Sequence, residues 1–197
     1  MTQTDRYDAV WRAAEPYMRA RKNDIHIPLS FAWALRLLQA HPQADRDVVC
    51  LAILLHDIGW YSIDMADIIE KGFSGPDMLR SDVRYLHESE GVRLARPLLR
   101  DAGWSDDVTA QVCGIIDGHD TRLAPRHLND RLVRDADKLW RFEVTGIAVA
   151  SDWFKTTPHG YADRLETQKD QLETDIGCAW AAETLAASRA ALMLHVI

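Results

Sequence analysis

Residues 48–60, VVCLAILLHDIGW, run through eight unbroken apolar residues before the adjacent pair His56-Asp57 and close on Gly59 and Trp60. A helix without a polar face belongs inside a core. There an ionised carboxylate is severely penalised unless it is paired or bound to a cation. An imidazole and a carboxylate side by side at the end of such a helix therefore point to a metal ion.

The chain around this stretch is long enough to bury it. With 197 residues, 47% of them hydrophobic, and no Pro/Gly/Ser-rich linker, one domain spanning 1–197 is expected. The formal charge of −7 argues against a nucleic-acid polymer or an anionic membrane as partner, since both select basic faces. A small anionic substrate would have to meet a local basic patch. Cys50, Cys113 and Cys178 are far apart and lack CxxC spacing, so buried free thiols in a reducing compartment are expected. The opening MTQTDRYDAVWRAAE has no apolar signal core, and no run approaches the roughly 18 apolar residues of a membrane span, so the expected location is cytoplasmic.

Periodicity predicts helices throughout. Thr4-Asp5 caps a first helix through about Tyr17, with Tyr7, Val10, Trp11 and Ala14 in helical spacing. Pro28 is assigned to the first turn of a second helix, LSFAWALRLLQA, with His26 at its entrance. Asp45 opens the central helix. Residues 61–76 read as a short helix and then a loop containing Gly72, Gly75 and Pro76. Ser81-Asp82 starts the next helix, whose inward stripe is Val83, His87, Leu94 and Leu98, with Arg84, Glu88 and Arg93 falling elsewhere. After a break at 101–105, Val108, Val112, Ile115, Ile116 and His119 share one stripe of another helix. Pro125 turns the chain into LNDRLVRDADKLWRF, and a helical run follows from 144 to about 155. ADRLETQKDQLE and CAWAAETLAASRAALML read as two terminal amphipathic helices. No alternating strand pattern, internal repeat, Walker loop, GxSxG elbow or CxxC…CxxC cluster occurs, which leaves P-loop, serine-hydrolase and zinc-finger chemistry without support.

His26, His56-Asp57, His87, His119 and Asp137 fall on separate segments, and spacing alone does not bring them together. The stretch LLHDIG, with LHESEG around His87, IIDGH ending at His119 and RDADKL around Asp137, resembles the HD-domain superfamily over roughly residues 24–148. The resemblance implies an all-α, single-domain HD bundle around a buried metal site, with ligands in the order H…HD…H…H…D. It further implies that His26, His56, Asp57 and Asp137 hold a first metal, and that His87 and His119 supply a second, bridged by Asp57. Helical periodicity treats Asp135 and Asp137 alike; only the resemblance favours Asp137.

A mixed imidazole and carboxylate set suits one or two divalent transition ions, Mn, Fe, Co, Ni or Zn. Such an ion acidifies bound water and neutralises a phosphoryl oxygen, and a second can clamp the leaving side of an in-line displacement. The resemblance thus implies metal-dependent hydrolysis of a small phosphoester or nucleotide; Asp57 and, by its place in sequence beside Asp137, Lys138 are the candidate catalytic residues. Lys138, Arg122 and Arg141 are the candidate anion-binding residues, and Arg21-Lys22 is a further basic pair near His26. HD-fold oxygenases that cleave a small polyol or phosphonate at a mixed-valent di-iron centre use the same ligand order, which makes them the alternative. The short separation of His119 from Asp137, 18 positions, and the DADKL context favour the hydrolases. His41, His127, His159 and His195 adjoin turns or the terminus and are expected to be exposed. Trp60, Tyr61 and Trp140 adjoin the proposed ligands and are expected to be core or pocket wall.

Overall fold

The computed structural model describes residues 5–68, 71 and 82–194. Its helices are α1 (Asp5–Ala14), α2 (Asn23–Ala40), α3 (Arg46–Leu55), the single turn α4 (Met65–Asp67), α5 (Asp82–Asp101), α6 (Asp106–Ile116), α7 (Leu128–Leu139), α8 (Val144–Trp153), α9 (Pro158–Glu166) and α10 (Asp175–Leu194). Among the described residues there is no strand, so the chain adopts the expected all-α class. Nor is any helix among them long and apolar enough to cross a membrane.

The apolar run forms α3, around which the others are arranged. Asp45 caps it: Oδ1 accepts from the N–H groups of Asp47 and Val48 at 3.0 and 3.1 Å, satisfying donors that the first turn leaves without partners. Every residue from Val48 to Leu55 is buried, because α1, α2, α6 and α7 pack around the helix. Removing one such side chain, as in Leu51→Ala, costs about 2–5 kcal/mol. The His-Asp pair follows at once, and the chain then tightens into a turn at Ile58–Ser62. α5 lies along that turn and against α6, while α8, α9 and α10 pack on one another and α10 returns to α7. The close approach of α5 requires Gly59, since a Cβ there would fall inside the backbone of His87 and Gly91.

Several boundaries depart from the periodicity, each for a local or tertiary reason. α1 stops at Ala14, not Tyr17, and a tighter turn takes over at Glu15–Tyr17, because Pro16 has no N–H and its ring clashes with the preceding turn. α2 begins at Asn23, after Lys22 turns the chain with φ 56°. Pro28 therefore lies inside the helix, where it removes one backbone hydrogen bond, and His26 belongs to the first turn instead of standing before it. α6 ends at Ile116 because Asp117 is extended and Gly118 takes φ +98°. His119 thus sits on the turn after the helix and not on its stripe. Beyond α7, Trp140–Phe142 forms a separate tight turn, and α8 ends at Trp153 just before Lys155 at φ 51°.

The two terminal helices are also shifted. α9 starts at Pro158, with Thr157 as its cap, and ends at Glu166, whereas α10 begins at Asp175. The polar stretch between them is held instead by Asp135, whose carboxylate accepts from the N–H groups of Glu173 and Thr174 at 2.6 and 3.0 Å. Cys50 and Cys113 are buried free thiols as expected, but Cys178 is only half-buried. Thr4, the loop glycines Gly72 and Gly75, Pro76, Ser81 and His195 lie outside the described residues.

Candidate metal centre

His56 closes α3, and its Nδ1 lies 2.9 Å from the Ile53 carbonyl. A carbonyl only accepts, so Nδ1 carries the hydrogen and Nε2 is left facing inward. His119 repeats the device, with Nδ1 2.9 Å from the Ile116 carbonyl. The six residues named by the H…HD…H…H…D order are all buried, none more than 7% exposed. Asp57 stands between two groups of them. Its Oδ2 lies 3.4 Å from His26 Nδ1 and 3.7 Å from His56 Nε2. Its Oδ1 lies 3.7 Å from His87 Nε2 and 3.5 Å from His119 Nε2. Asp137 joins the first group, with Oδ1 2.9 Å from His26 Nε2 and 3.3 Å from His56 Nε2.

The donor set fits a divalent cation. Ligand atoms of His26, His56 and Asp57 lie within 4.8 Å of one another, and so do those of Asp57, His87 and His119. His26 Nδ1 and His56 Nε2 are within ion-pair range of carboxylates yet buried without a hydrogen-bond partner, an arrangement that is costly unless something else fills the gap. His87 and His119 face each other through Nε2 atoms 3.4 Å apart, both directed at the Asp57 carboxylate.

The electrostatics agree. Burial drives the His26 imidazole down to about 4, overcoming Asp137 and Asp57, and so keeps it neutral as a ligand must be. Burial opposes charge on His119 as well, but a hydrogen bond to Asp57 and the charges of Asp120, Asp57 and Glu88 raise it to about 9. The surroundings of His119 therefore favour a cation. Burial also works against the charge on Asp137, yet Arg141 and the adjoining imidazoles of His26 and His56 hold that carboxyl well below its usual range. Asp120 is kept at about 2, because Arg84, His119 and His87 outweigh its burial.

Neighbouring side chains hold the cluster in place. Trp60 stacks on His87, centroids 4.1 Å apart, and donates from Nε1 to Asp57 Oδ1 at 2.9 Å. Trp140 stacks on His26 at 4.6 Å. Both tryptophans are therefore walls of the cluster, while Tyr61 is exposed. Asn23 is buried and donates to the Asp57 carbonyl at 3.0 Å.

Over residues 26–141 the sequence matches the HD-domain family. The chain belongs to the HD-domain family. No curated protein and no solved structure matches it significantly. HD domains form a superfamily of metal-dependent phosphohydrolases, and the clustered His and Asp residues of this one can bind a divalent metal.

Of the two aspartates that periodicity left equivalent, Asp137 lies with the histidines of the HD cluster. Asp135 points the other way and also accepts from the Thr174 hydroxyl at 2.6 Å. His119 and Asp137 line a cavity of about 510 Å³ whose wall includes Arg84, Lys138, Arg141 and Arg164. A larger hollow of about 870 Å³, between Arg12, Lys22, Tyr61 and Trp153, contains none of the clustered residues among those described.

The predicted basic residues divide. Arg141 pairs with Asp137 Oδ2 at 3.2 Å, and its Nε is buried without a hydrogen-bond partner. Lys138 is 40% exposed at its side chain and only 4.0 Å from Glu173. Arg122 lines the cavity, but it is committed to Asp130 at 3.0 Å and to the carbonyls of Gly114 and Asp117. Its guanidinium crosses Gly118 where a Cβ would stand. Lys22 is exposed in the larger hollow, away from the cluster, and the Arg21 side chain lies outside the described residues. Of the other histidines, His127 is exposed and caps α7, His159 is exposed, and His41 is half-buried instead of exposed.

The sequence reading missed Glu88, placed off the buried face but only 2% exposed. It accepts from the N–H groups of Asp120 and Thr121 at 2.8 and 2.9 Å and from the Thr121 hydroxyl at 2.6 Å, so it fixes the turn carrying His119. Arg84 was missed too; it grips Asp120 through Nε at 3.1 Å and a terminal nitrogen at 2.7 Å. The only available signal for either was adjacency to the His87 segment.

Proposed function

We propose that this chain hydrolyses a small phosphoester, with the metal-binding cluster as its reaction centre. The observation that carries the reading is the cavity into which the cluster opens, because its wall brings Arg141, Lys138 and Arg84 beside His119 and Asp137. A divalent ion bound there supplies Lewis-acid neutralisation of a phosphoryl oxygen and acidifies a water. The chain's own residues do the rest. Arg141, anchored on Asp137, lines the cavity with a guanidinium charge for the phosphoryl group. Lys138 reaches the same space with a loosely held ammonium suited to the charge on the leaving oxygen. Asp57, between both histidine groups, fixes their relative position. Deep burial of the remaining cluster limits access to the cavity side, so small molecules are accepted and polymers or membranes are not.

The test is anaerobic turnover. Protein loaded with Mn or Co, with metal content measured, should release phosphate from small phosphoesters, since these ions need no redox change to activate water. Oxygen consumption by the iron-loaded protein with a small polyol or phosphonate, and no phosphate release from any ester, would replace this reading with the di-iron oxygenase one.

A further inference from the structure

We infer that Arg164, assisted by Gln168, forms a second anion subsite in the cavity, and that the substrate carries a second phosphate or carboxylate to meet it. The identity of the reaction rests on the hydrolase reading; the binding does not. Arg164 lies on α9, outside the span matched by the HD domain. Its guanidinium sits 4.3 Å over the Phe154 ring, a contact that holds the planar group in one orientation. The acids beside it on α9 are engaged elsewhere, Asp163 with Arg189 at 2.9 Å and Glu166 with Lys169. Among the described residues no carboxylate pairs with Arg164.

The other guanidiniums on this wall differ. Arg84 is held by Asp120, Arg122 by Asp130, Arg134 by Asp130 and Glu173, and Arg141 by Asp137. Arg164 is thus a half-buried, oriented cation without a counter-charge, facing the cavity of the metal cluster. Gln168, one turn on, adds an amide to the same wall. Aromatic faces are already taken: Phe154 carries Arg164 and stacks with Tyr161, Phe142 is 2% exposed, and Trp60 and Trp140 cover histidines. Recognition on this wall therefore runs through cations and amides, which selects a bis-anionic polyol or acid over a nucleobase.

Calorimetric titration of the purified holoprotein with fructose 1,6-bisphosphate and with fructose 6-phosphate tests the subsite. Wild type should bind the bisphosphate about tenfold tighter, the scale of one added charge-assisted hydrogen bond. Arg164→Ala should abolish the preference while leaving the melting temperature and monophosphate affinity unchanged, and Arg164→Lys should keep part of it. Equal weakening of both probes by Arg164→Ala, or no preference in wild type, overturns the inference. Phosphate release, followed in parallel, separates the two ideas. A preference with no phosphate release from any small phosphoester removes the hydrolase reading and keeps the subsite, whereas release without a preference removes the subsite alone.

Discussion

His26 Nε2 lies 2.9 Å from Asp137 Oδ1, a contact between residues 111 positions apart that ties the first turn of α2 to the last turn of α7. Two residues earlier on the same helix, Asp135 faces the chain between α9 and α10. Two of the buried carboxylates on this one helix thus have opposite duties.

Substituting each separates those duties. Asp137→Asn should strip metal with little loss of fold. Asp135→Asn should keep metal but lose roughly 1–3 kcal/mol, because an amide group replaces an acceptor of buried N–H and O–H donors. Metal analysis beside thermal unfolding of both variants is the check, and the reverse pattern would move the ligand to Asp135.

Asp57 offers one oxygen to each histidine group, so metal stoichiometry should fall unevenly. His87→Ala or His119→Ala should lower occupancy by one ion. Asp57→Ala should empty both positions and abolish turnover, and His56→Ala should empty the first and abolish turnover too. Elemental analysis of the purified variants reads this directly; full occupancy in Asp57→Ala would refute the shared-carboxylate arrangement.

Trp60→Phe retains a ring to cover His87 but deletes the 2.9 Å hydrogen bond to Asp57 Oδ1. Metal affinity should drop about 10–100-fold, the usual effect of losing a partner that orients a ligand. Competition with a chromogenic chelator measures it, and an unchanged affinity would show that the indole N–H does not orient the carboxylate.

Gly59→Ala should be among the most damaging small substitutions in the chain. The added methyl meets backbone, which cannot rotate away, so a cost of about 1–3 kcal/mol or more is expected from overpacking. Displacement of α5 should also carry His87 away from Asp57. Thermal unfolding and metal content together test both effects; a variant as stable and as metal-rich as wild type would contradict the packing.

Local properties of the chain were enough to foresee the buried central helix, its cap at Asp45 and the HD pair at its end. An apolar run with no polar face has one place to go, and a cap forms with its own first turn. The HD motif added the order of the histidines and aspartates, including the preference for Asp137. Periodicity failed where a local breaker or a distant partner decided the outcome. It carried His119 along a helix that Gly118 ends, extended α9 as far as Glu173, whose N–H Asp135 holds, and left Glu88 off the inward stripe although it is buried against the backbone of the His119 turn. Nor did it distinguish Arg122, spent on Asp130, from Arg164, left without a carboxylate. A 3.6-residue period reports which face of a helix is covered. What a buried polar atom meets there depends on chain segments dozens of positions away, and only their packing brings them together.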